Sequence, residues 1–436
     1  MEVLLSDTIR IESFSHLCRI RRLRLRSAIG LRYVCMMCKM VSVVVAIISL
    51  LIGPIAVIAN SGVIVLPEAV RSTEGVTAVA VESADKTIVS RASRALGLHG
   101  AYKVVEANQA AFTFQIERAS ESSVVLSILS GKPAQTLLRE TISGGNLQNA
   151  VLRACDRAVE RTLGTPGFFS GKLAFVGKQG GITEIYTSDV LFSSVRALTR
   201  DRALVTGPSW SPDGSRLLYT TYYKTGFPDI YLIDLHKGTK TPVANFKGTN
   251  TGGEFSPDGQ RIAMSLSGAG NSEIYVANQA GRNLRRLTTN RSLETSPSWS
   301  PDGRRLVYTS DALGKPQLYE IAASGGPARR LPTNVSSYCS EPAWNPVHTN
   351  LIAFTAAVRG GFQIALYDAK TRSARILTSV ADSAVEPSWT NDGRHLVFTR
   401  REGAQTRLML LDTTTGKVSS LHSTSVGQAS SPSFVY

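Results

Sequence analysis

Cysteine, histidine and the common catalytic motifs are scarce in this sequence. Its 436 residues include five cysteines and six histidines. The histidines are scattered and form no H-E-x-x-H or H-x-H pattern that would hold a metal ion. The G-x-S-x-G nucleophile motif, the phosphate-binding G-x-x-x-x-G-K-[ST] motif and the dinucleotide fingerprint are also absent. These absences argue against metallohydrolases, α/β-hydrolases, nucleotide hydrolases and dinucleotide-dependent enzymes.

The few cysteines limit disulfide, zinc and redox chemistry. Cys18, Cys35 and Cys38 lie near the N-terminus, and the Cys35–Cys38 pair lacks both a second ligand pair and a βαβ context. Cys155 and Cys339 lie in different predicted domains. They either form a disulfide in an oxidising compartment or remain two buried thiols. No cysteine follows the apolar N-terminal run at a lipid-attachment position, so we expect no lipoprotein.

A basic excess is present without a dense basic patch. Residues 1–59 hold eight Arg or Lys and three Asp or Glu, which leaves +10 of the formal net charge of +15 for the rest of the chain. Those basic residues are spread over the repeats without interleaved aromatic residues, which does not favour nucleic-acid binding. Solubility accounts for this charge, and attraction to anionic envelope components is the alternative.

One long hydrophobic run, residues 41–59, follows an arginine-rich stretch at residues 19–26. It could be a cleaved secretion signal, an uncleaved membrane anchor or a buried helix. We favour a signal peptide over residues 1–59. Gly53-Pro54 interrupts a helix near the end of the run, and the small side chains of Val57 and Ala59 permit cleavage after Ala59.

The sequence is dominated by an internal repeat. The motif Pro-Ser-Trp-Ser-Pro-Asp-Gly, or a variant of it, recurs with its aromatic residue at steps of 44 or 45 residues. The aromatic positions are Trp210, Phe255, Trp299, Trp344, Trp389 and Phe434. A period of about 40–45 residues is typical of four-stranded propeller blades.

Each repeat has the signals of four short strands and no helix. In the motif, proline presets a turn, aspartate bonds its own backbone and glycine supplies a positive φ. Three β-rich segments follow, at residues 304–309, 317–321 and 328–331 of one repeat. We therefore expect the tryptophans to pack between blades. A turn role, not calcium binding, is expected for the motif aspartates Asp213, Asp258, Asp302 and Asp392.

The two ends of the repeat region complement each other. Residues 172–176 and 183–186 read as second and third strands without a first strand, whereas residues 432–434 read as a first strand without successors. Joining them gives one composite blade beside five continuous ones. The sequence thus predicts an all-β, six-bladed propeller over residues 168–436, closed by pairing the C-terminal strand with the first blade.

Residues 60–164 predict a small α/β domain. Strands are expected at residues 62–66, 76–81, 102–105, 112–116, 124–128 and 136–138. Asp85 should cap a first helix that Gly97 stops, and Asn146 a second helix that ends at Gly164. We expect the second helix to expose Arg153, Asp156, Arg157, Glu160 and Arg161.

The order of these parts resembles the TolB family of the Tol-Pal envelope system, over residues 60–436. The resemblance implies a periplasmic protein, and the absent motifs lead us to expect no catalytic activity, no cofactor and no bound metal. It also implies that the propeller binds a Pal-like peptidoglycan-associated lipoprotein, with a TolA-like inner-membrane protein as a further partner. We therefore expect a monomeric adaptor that supports envelope integrity and cell division and binds no nucleic acid. Because other propellers share the blade motif, an envelope carbohydrate-binding or hydrolase-related propeller remains the alternative.

Propeller geometry places the loops before each aromatic residue around one mouth of the channel, where the resemblance implies partner contacts. The candidates are Thr206, Thr249, Asn250, Gly252, Glu294, Ser296, Ser340, Glu341, Ser383, Glu386 and Gln428. Asn250 matches an asparagine of the family's partner-binding loop, and Thr249 stands where the family has a histidine. The three glutamates either bind a partner or hydrogen-bond blade edges. A Glu341–Glu386 pair across the channel would also suit a glycosidase.

Overall fold

Seven β-sheets and two α-helices form the part of the chain that the computed structural model describes, residues 75–358, 360–423 and 427–436. These residues belong to one compact unit, Gly62–Tyr436. The predicted signal peptide and the predicted strand at residues 62–66 lie outside the described residues. Neither of the two described helices combines the length and the apolar character needed to cross a membrane.

The α/β region, residues 75–164, contains one mixed sheet and both helices. Its strands are β1 (Thr77–Glu82), β2 (Tyr102–Val104), β3 (Phe112–Arg118), β4 (Ser123–Ser130) and β5 (Gln135–Ser143). They lie in the order β2-β1-β3-β4-β5, with β1 parallel to both of its neighbours and the other pairs antiparallel. Helices α1 (Lys86–Leu98) and α2 (Leu147–Leu163) pack on this sheet, and a short 3-10 turn covers Ala107–Gln109.

The helix ends follow the capping rules that the sequence predicts. Asp85 accepts a hydrogen bond from the Thr87 N–H at 2.8 Å, and Asn146 caps α2 in the same way. Gly164 ends α2 in the left-handed conformation, at φ 70°. The prediction that Gly97 stops α1 is wrong, because the helix continues to Leu98.

Asp156 also departs from the prediction, since it is buried and does not lie on a solvated face. Its carboxylate accepts hydrogen bonds from the backbone N–H groups of Phe169 at 2.7 Å and Ser170 at 2.9 Å. Burial raises the pKa of Asp156 to about 6, against the opposing effect of these hydrogen bonds. The residue fixes the chain where it passes from α2 to the first propeller strand.

The six four-stranded sheets are the propeller blades. Blade 1 contains β6 (Lys172–Gln179), β7 (Ile182–Asp189) and β8 (Arg196–Ala197). Blade 2 contains β9 (Val205–Trp210), β10 (Arg216–Thr221), β11 (Asp229–Asp234) and β12 (Thr239–Ala244). Blade 3 contains β13 (Asn250–Phe255), β14 (Arg261–Leu266), β15 (Glu273–Asn278) and β16 (Arg285–Arg286).

The remaining blades repeat this order. Blade 4 contains β17 (Glu294–Trp299), β18 (Arg305–Ser310), β19 (Gln317–Ala322) and β20 (Arg329–Arg330). Blade 5 contains β21 (Cys339–Trp344), β22 (Leu351–Val358), β23 (Gly361–Asp368) and β24 (Ser373–Ile376). Blade 6 contains β25 (Ser383–Trp389), β26 (His395–Glu402), β27 (Gln405–Asp412) and β28 (Val418–Ser420), and the C-terminal β29 (Gln428–Val435) becomes the innermost strand of blade 1.

The ring closes as the sequence predicts. β29 pairs antiparallel with β6, so that Phe434 lies opposite Leu173. Each innermost strand contacts that of the next blade, and β29 contacts β9 to complete the circle. Because every central strand is paired, the ring exposes few free backbone groups.

Apolar packing between neighbouring blades holds the ring together. Trp299 is only 4% exposed and packs with Ile274 of blade 3 and Leu306 of blade 4. Arg261 of blade 3 stacks on Trp299, with its guanidinium carbon 4.6 Å from the ring centroid. Trp299 thus packs between blades 3 and 4.

The motif aspartates are turn residues. In blade 4, Asp302 accepts hydrogen bonds from the Ser300 hydroxyl at 2.5 Å and from the Arg304 N–H at 3.0 Å. These bonds, the first above all, lower the pKa of Asp302.

The two cysteines of the described chain, Cys155 and Cys339, are buried free thiols.

Candidate functional site

The innermost strands of all six blades line a central channel with a volume of about 550 Å³. The strand register shows which loops surround each end. In blade 2, the start of β9, the end of β10 and the start of β11 meet at Val205, Thr221 and Asp229. The loop between second and third strands therefore lies at the same end as the connection that enters each blade. We call this end the mouth surface.

A left-handed residue recurs at the same position of every innermost strand, three residues before the aromatic. The six are Gly207, Gly252, Ser296, Glu341, Glu386 and Ser431, with φ between 49° and 68°. The antiparallel register shifts at each of these positions, so each residue forms a β-bulge that faces the channel. Four of the six are not glycine, and the surrounding hydrogen bonds must hold them in this conformation.

Glu341 and Glu386 supply some of those hydrogen bonds. The Glu341 carboxylate accepts from the Thr355 hydroxyl at 2.7 Å and from the Glu386 N–H at 3.0 Å. Glu386 in turn accepts from Thr399 at 2.7 Å and from the Ser431 N–H at 2.9 Å. Burial, and secondarily the neighbouring Glu386, raises the pKa of Glu341. Both glutamates therefore link the bulges of successive blades around the channel.

Glu254 is a channel residue that the sequence analysis missed. It occupies the position directly before Phe255, where four of the other blades have serine and one has alanine. Its carboxylate accepts a hydrogen bond from the Trp299 N–H at 3.1 Å and faces the Ser298 hydroxyl at 3.3 Å. Burial raises its pKa to about 7, although these two contacts lower it. A comparison of equivalent repeat positions would have identified it.

The structure divides the predicted partner-binding residues into three groups. Asn250 and Glu294 have no exposed surface, and the Asn250 amide donates to the Phe246 carbonyl at 2.8 Å. The expectation that these two side chains are presented to a partner is therefore wrong. Those that line the channel are Thr206, Gly252, Ser296, Glu341 and Glu386. Those that lie at the rim are Thr249, Ser340, Ser383 and Gln428.

The mouth surface carries most of the exposed large apolar side chains of the described chain. Eight of fifteen such residues lie on it: Ile182, Leu204, Tyr223, Phe227, Phe246, Leu293, Leu313 and Val358. Clustered exposed apolar residues with a polar surround are typical of protein-binding surfaces.

The α/β region packs at the opposite end of the ring and leaves the mouth surface uncovered. Lys417 Nζ donates to the Gly97 carbonyl at 2.6 Å, and Asn391 Nδ2 to the Gly167 carbonyl at 3.0 Å. Both propeller residues belong to turns of blade 6 at the end away from the mouth. One apolar cluster continues from Phe114 of the sheet to Leu173 of blade 1.

A buried polar cluster of His99, Asp392 and His395 lies at this contact and has the residue types of a metal site. His395 Nδ1 lies 2.6 Å from Asp392 Oδ2, and Arg394 forms an ion pair with Asp412 at 2.7 Å. Burial alone would lower the pKa of His395, but its contacts with the two aspartates raise it. Burial lowers the pKa of His99. His99 of the α/β region contacts His395 of blade 6, with ring centroids 4.6 Å apart, so we interpret the cluster as an anchor for the α/β region.

A closed ring of six four-stranded blades around a channel, with an α/β region before it, defines the chain as a six-bladed β-propeller protein. The family model of the TolB beta propeller domain matches residues 159–435, and the chain belongs to this family.

Curated relatives match over a shorter segment. The Tol-Pal system protein TolB of Bordetella pertussis is 33% identical over 152 residues, which is 35% of this chain and 34% of that protein. The Tol-Pal system protein TolB of Desulfosudis oleivorans is 35% identical over 138 residues, 32% of this chain and 31% of that protein. The aligned segments thus span about a third of these relatives.

The fold extends beyond those segments. The crystal structure of TolB from Acinetobacter baumannii superposes with a TM-score of 0.71 at 23% sequence identity, covering 83% of this chain and 97% of that one. This similarity supports the whole architecture, the α/β region included.

Proposed function

We propose that the chain is a non-catalytic periplasmic adaptor of the Tol-Pal envelope system. In this proposal the mouth surface binds a Pal-like peptidoglycan-associated lipoprotein and thereby supports outer-membrane integrity and cell division. The observation that carries it is the uncovered apolar mouth surface on a propeller of the TolB family. A rigid ring also suits binding, because a preformed surface loses little conformational entropy.

The remaining parts have proposed roles of their own. Residues 1–59 would direct export to the periplasm and be removed. Residues 60–164 would form the domain that contacts a TolA-like inner-membrane protein, and residues 168–436 the propeller. The mouth surface of the propeller faces away from the α/β region, so both partners could be bound at once.

The carbohydrate-binding alternative receives less support. It needs a free pair of carboxylates and exposed aromatic side chains along the channel. Glu341 and Glu386 are engaged in hydrogen bonds between blades. The aromatic residues of the repeats are buried or largely buried between blades, Trp299 at 4% exposed and Trp389 at 7%.

Site-specific labelling tests the proposed binding surface. Thr206→Cys places a thiol at an exposed channel-lining position of the mouth surface, whereas Lys237→Cys places one at the opposite end, where the native side chain is 76% exposed. Cys155 and Cys339 are buried and should not react. A bulky maleimide on Thr206→Cys should block binding of the soluble part of the Pal-like lipoprotein, and the same label on Lys237→Cys should not. Equal binding by both labelled proteins would contradict the proposal.

A further inference from the structure

The mouth surface differs between the two halves of the ring, because its loops differ in length. The loop between the second and third strands covers residues 222–228 in blade 2, 267–272 in blade 3 and 311–316 in blade 4. In blades 1, 5 and 6 the same strands are joined by only two residues. Together with the connections at residues 245–249 and 288–293, the longer loops form what we call the loop crescent.

The loop crescent carries basic side chains that the chain itself does not neutralise. Four exposed residues have neither an ion pair nor a side-chain hydrogen bond within the described part of the chain: Lys224, Lys247, Arg291 and Lys315. Their charges are therefore available to a ligand at the mouth surface.

Carboxylates near the crescent are already bound by this chain. Asp311 accepts a hydrogen bond from the Leu293 N–H at 2.8 Å. Glu273 is fully buried and pairs with Arg286 at 2.7 Å. Within the crescent residues Asp311 is the one acidic side chain against four free basic ones, so the crescent presents a positive potential to an approaching partner.

The same crescent holds the most exposed apolar side chains of the described chain. Phe227 is 64% exposed and Leu313 is 63% exposed, on blades 2 and 4 respectively. The crescent also holds Leu293, Tyr223 and Phe246, which are 53%, 46% and 45% exposed, respectively. Apolar anchors surrounded by charges are the usual composition of a specific protein interface, with the charges steering the encounter.

We infer that the loop crescent of blades 2–4 is the docking footprint, and that it binds a protein surface rich in acidic residues with apolar side chains among them. This inference rests on the proposed function, since it describes the chemistry of the partner at the same mouth surface. Charge complementarity selects the occupant, and Phe227 and Leu313 supply the apolar contacts. The short-looped half, blades 1, 5 and 6, contributes little to the contact.

Charge reversal on the two halves tests the inference. The probe is the soluble domain of the Pal-like lipoprotein from the same organism, and the readout is its association rate constant with the full chain at low and high salt. Lys224→Glu combined with Lys247→Glu and Lys315→Glu should reduce the association rate by about tenfold or more at low salt. Added salt should slow the unmodified chain and should no longer slow the variant. Each of these reversals made singly should also slow association more than Lys178→Glu, the matched control at an exposed, unpaired lysine of blade 1, which should change the rate little.

A second pair of variants addresses the apolar contacts. Phe227→Ser and Leu313→Ser should raise the dissociation rate, whereas Ile182→Ser on blade 1, where the native residue is 47% exposed, should not. Melting temperatures of all variants verify that they fold.

The outcomes separate this inference from the proposed function. If labelling at Thr206→Cys blocks binding but both halves respond equally to charge reversal, the mouth surface binds the lipoprotein and the crescent footprint is wrong. If neither the label nor any reversal changes binding, both are wrong. Association with anionic phospholipid vesicles that the triple variant loses, without affinity for the lipoprotein, would overturn the assignment to an acidic protein surface.

Discussion

Replacement of Trp299 by alanine removes a buried aromatic contact between blades 3 and 4. The side chain is 4% exposed, its indole N–H donates to the Glu254 carbonyl at 3.2 Å, and Arg261 stacks on its ring at 4.6 Å. Truncation of a buried tryptophan costs about 3–5 kcal/mol through lost burial and the cavity left behind. The stacked arginine and the indole hydrogen bond place Trp299→Ala toward the upper part of this range.

Urea unfolding followed by circular dichroism measures the cost, because this signal does not depend on the removed fluorophore. Phe227→Ala is the control, an aromatic that is 64% exposed, and its free energy of unfolding should change by less than about 0.5 kcal/mol. An unchanged slope of the free energy of unfolding against urea concentration would indicate that both variants unfold as the parent does. A loss below about 1 kcal/mol for Trp299→Ala would refute the packing argument.

Three further changes test the channel and the closure of the ring. Burial raises the pKa of Glu254 from 4.5 to about 7. Between those pH values the folded chain keeps a proton on Glu254 that the unfolded chain loses. The free energy of unfolding should therefore fall as the pH rises from 4.5 to about 7 and level off above that. Glu254→Gln should remove this pH dependence from the melting temperature. Ser296→Val should cost about 1–3 kcal/mol, because a β-branched residue is strained at φ 52°, whereas Ser296→Gly should not destabilise; equal effects in urea titrations would contradict this. A Cβ on Gly171 would lie 2.1 Å from the ring of Phe434, so Gly171→Ala should lower the melting temperature and Gly145→Ala, with open space around it, should not; equal shifts would refute the closure argument.

Most of the fold could be predicted from the sequence, because similar turn and strand signals recur at a constant spacing. The turn chemistry of Asp302 and its three counterparts fixes the first hairpin of four blades, and the constant step between aromatics fixes the number of blades. The unpaired strand signals at the two ends predicted the composite blade. Asp156 was misplaced because helical periodicity describes only one packing surface, whereas this residue meets the chain that follows the helix.

The site could be predicted only in part. Sequence position placed the candidates near the mouth, but the β-bulge rotates the strand, so residues one or two positions apart face different directions. Asn250 is buried where its side-chain amide donates to the Phe246 and Pro228 carbonyls, while Thr249, one residue earlier, is exposed. The loop crescent was not predicted, because its free basic residues become apparent only when the hydrogen-bond partners of the neighbouring acids are known.

The most direct test of the proposed adaptor role is a pull-down of the tagged full-length protein from crosslinked cell envelopes, with the captured proteins identified by mass spectrometry. The account predicts an outer-membrane lipoprotein with a peptidoglycan-binding domain among them, with its crosslinks on the mouth surface and lost in the Lys224→Glu, Lys247→Glu, Lys315→Glu variant. Capture of glycan, or of no envelope lipoprotein by a folded protein, would contradict it.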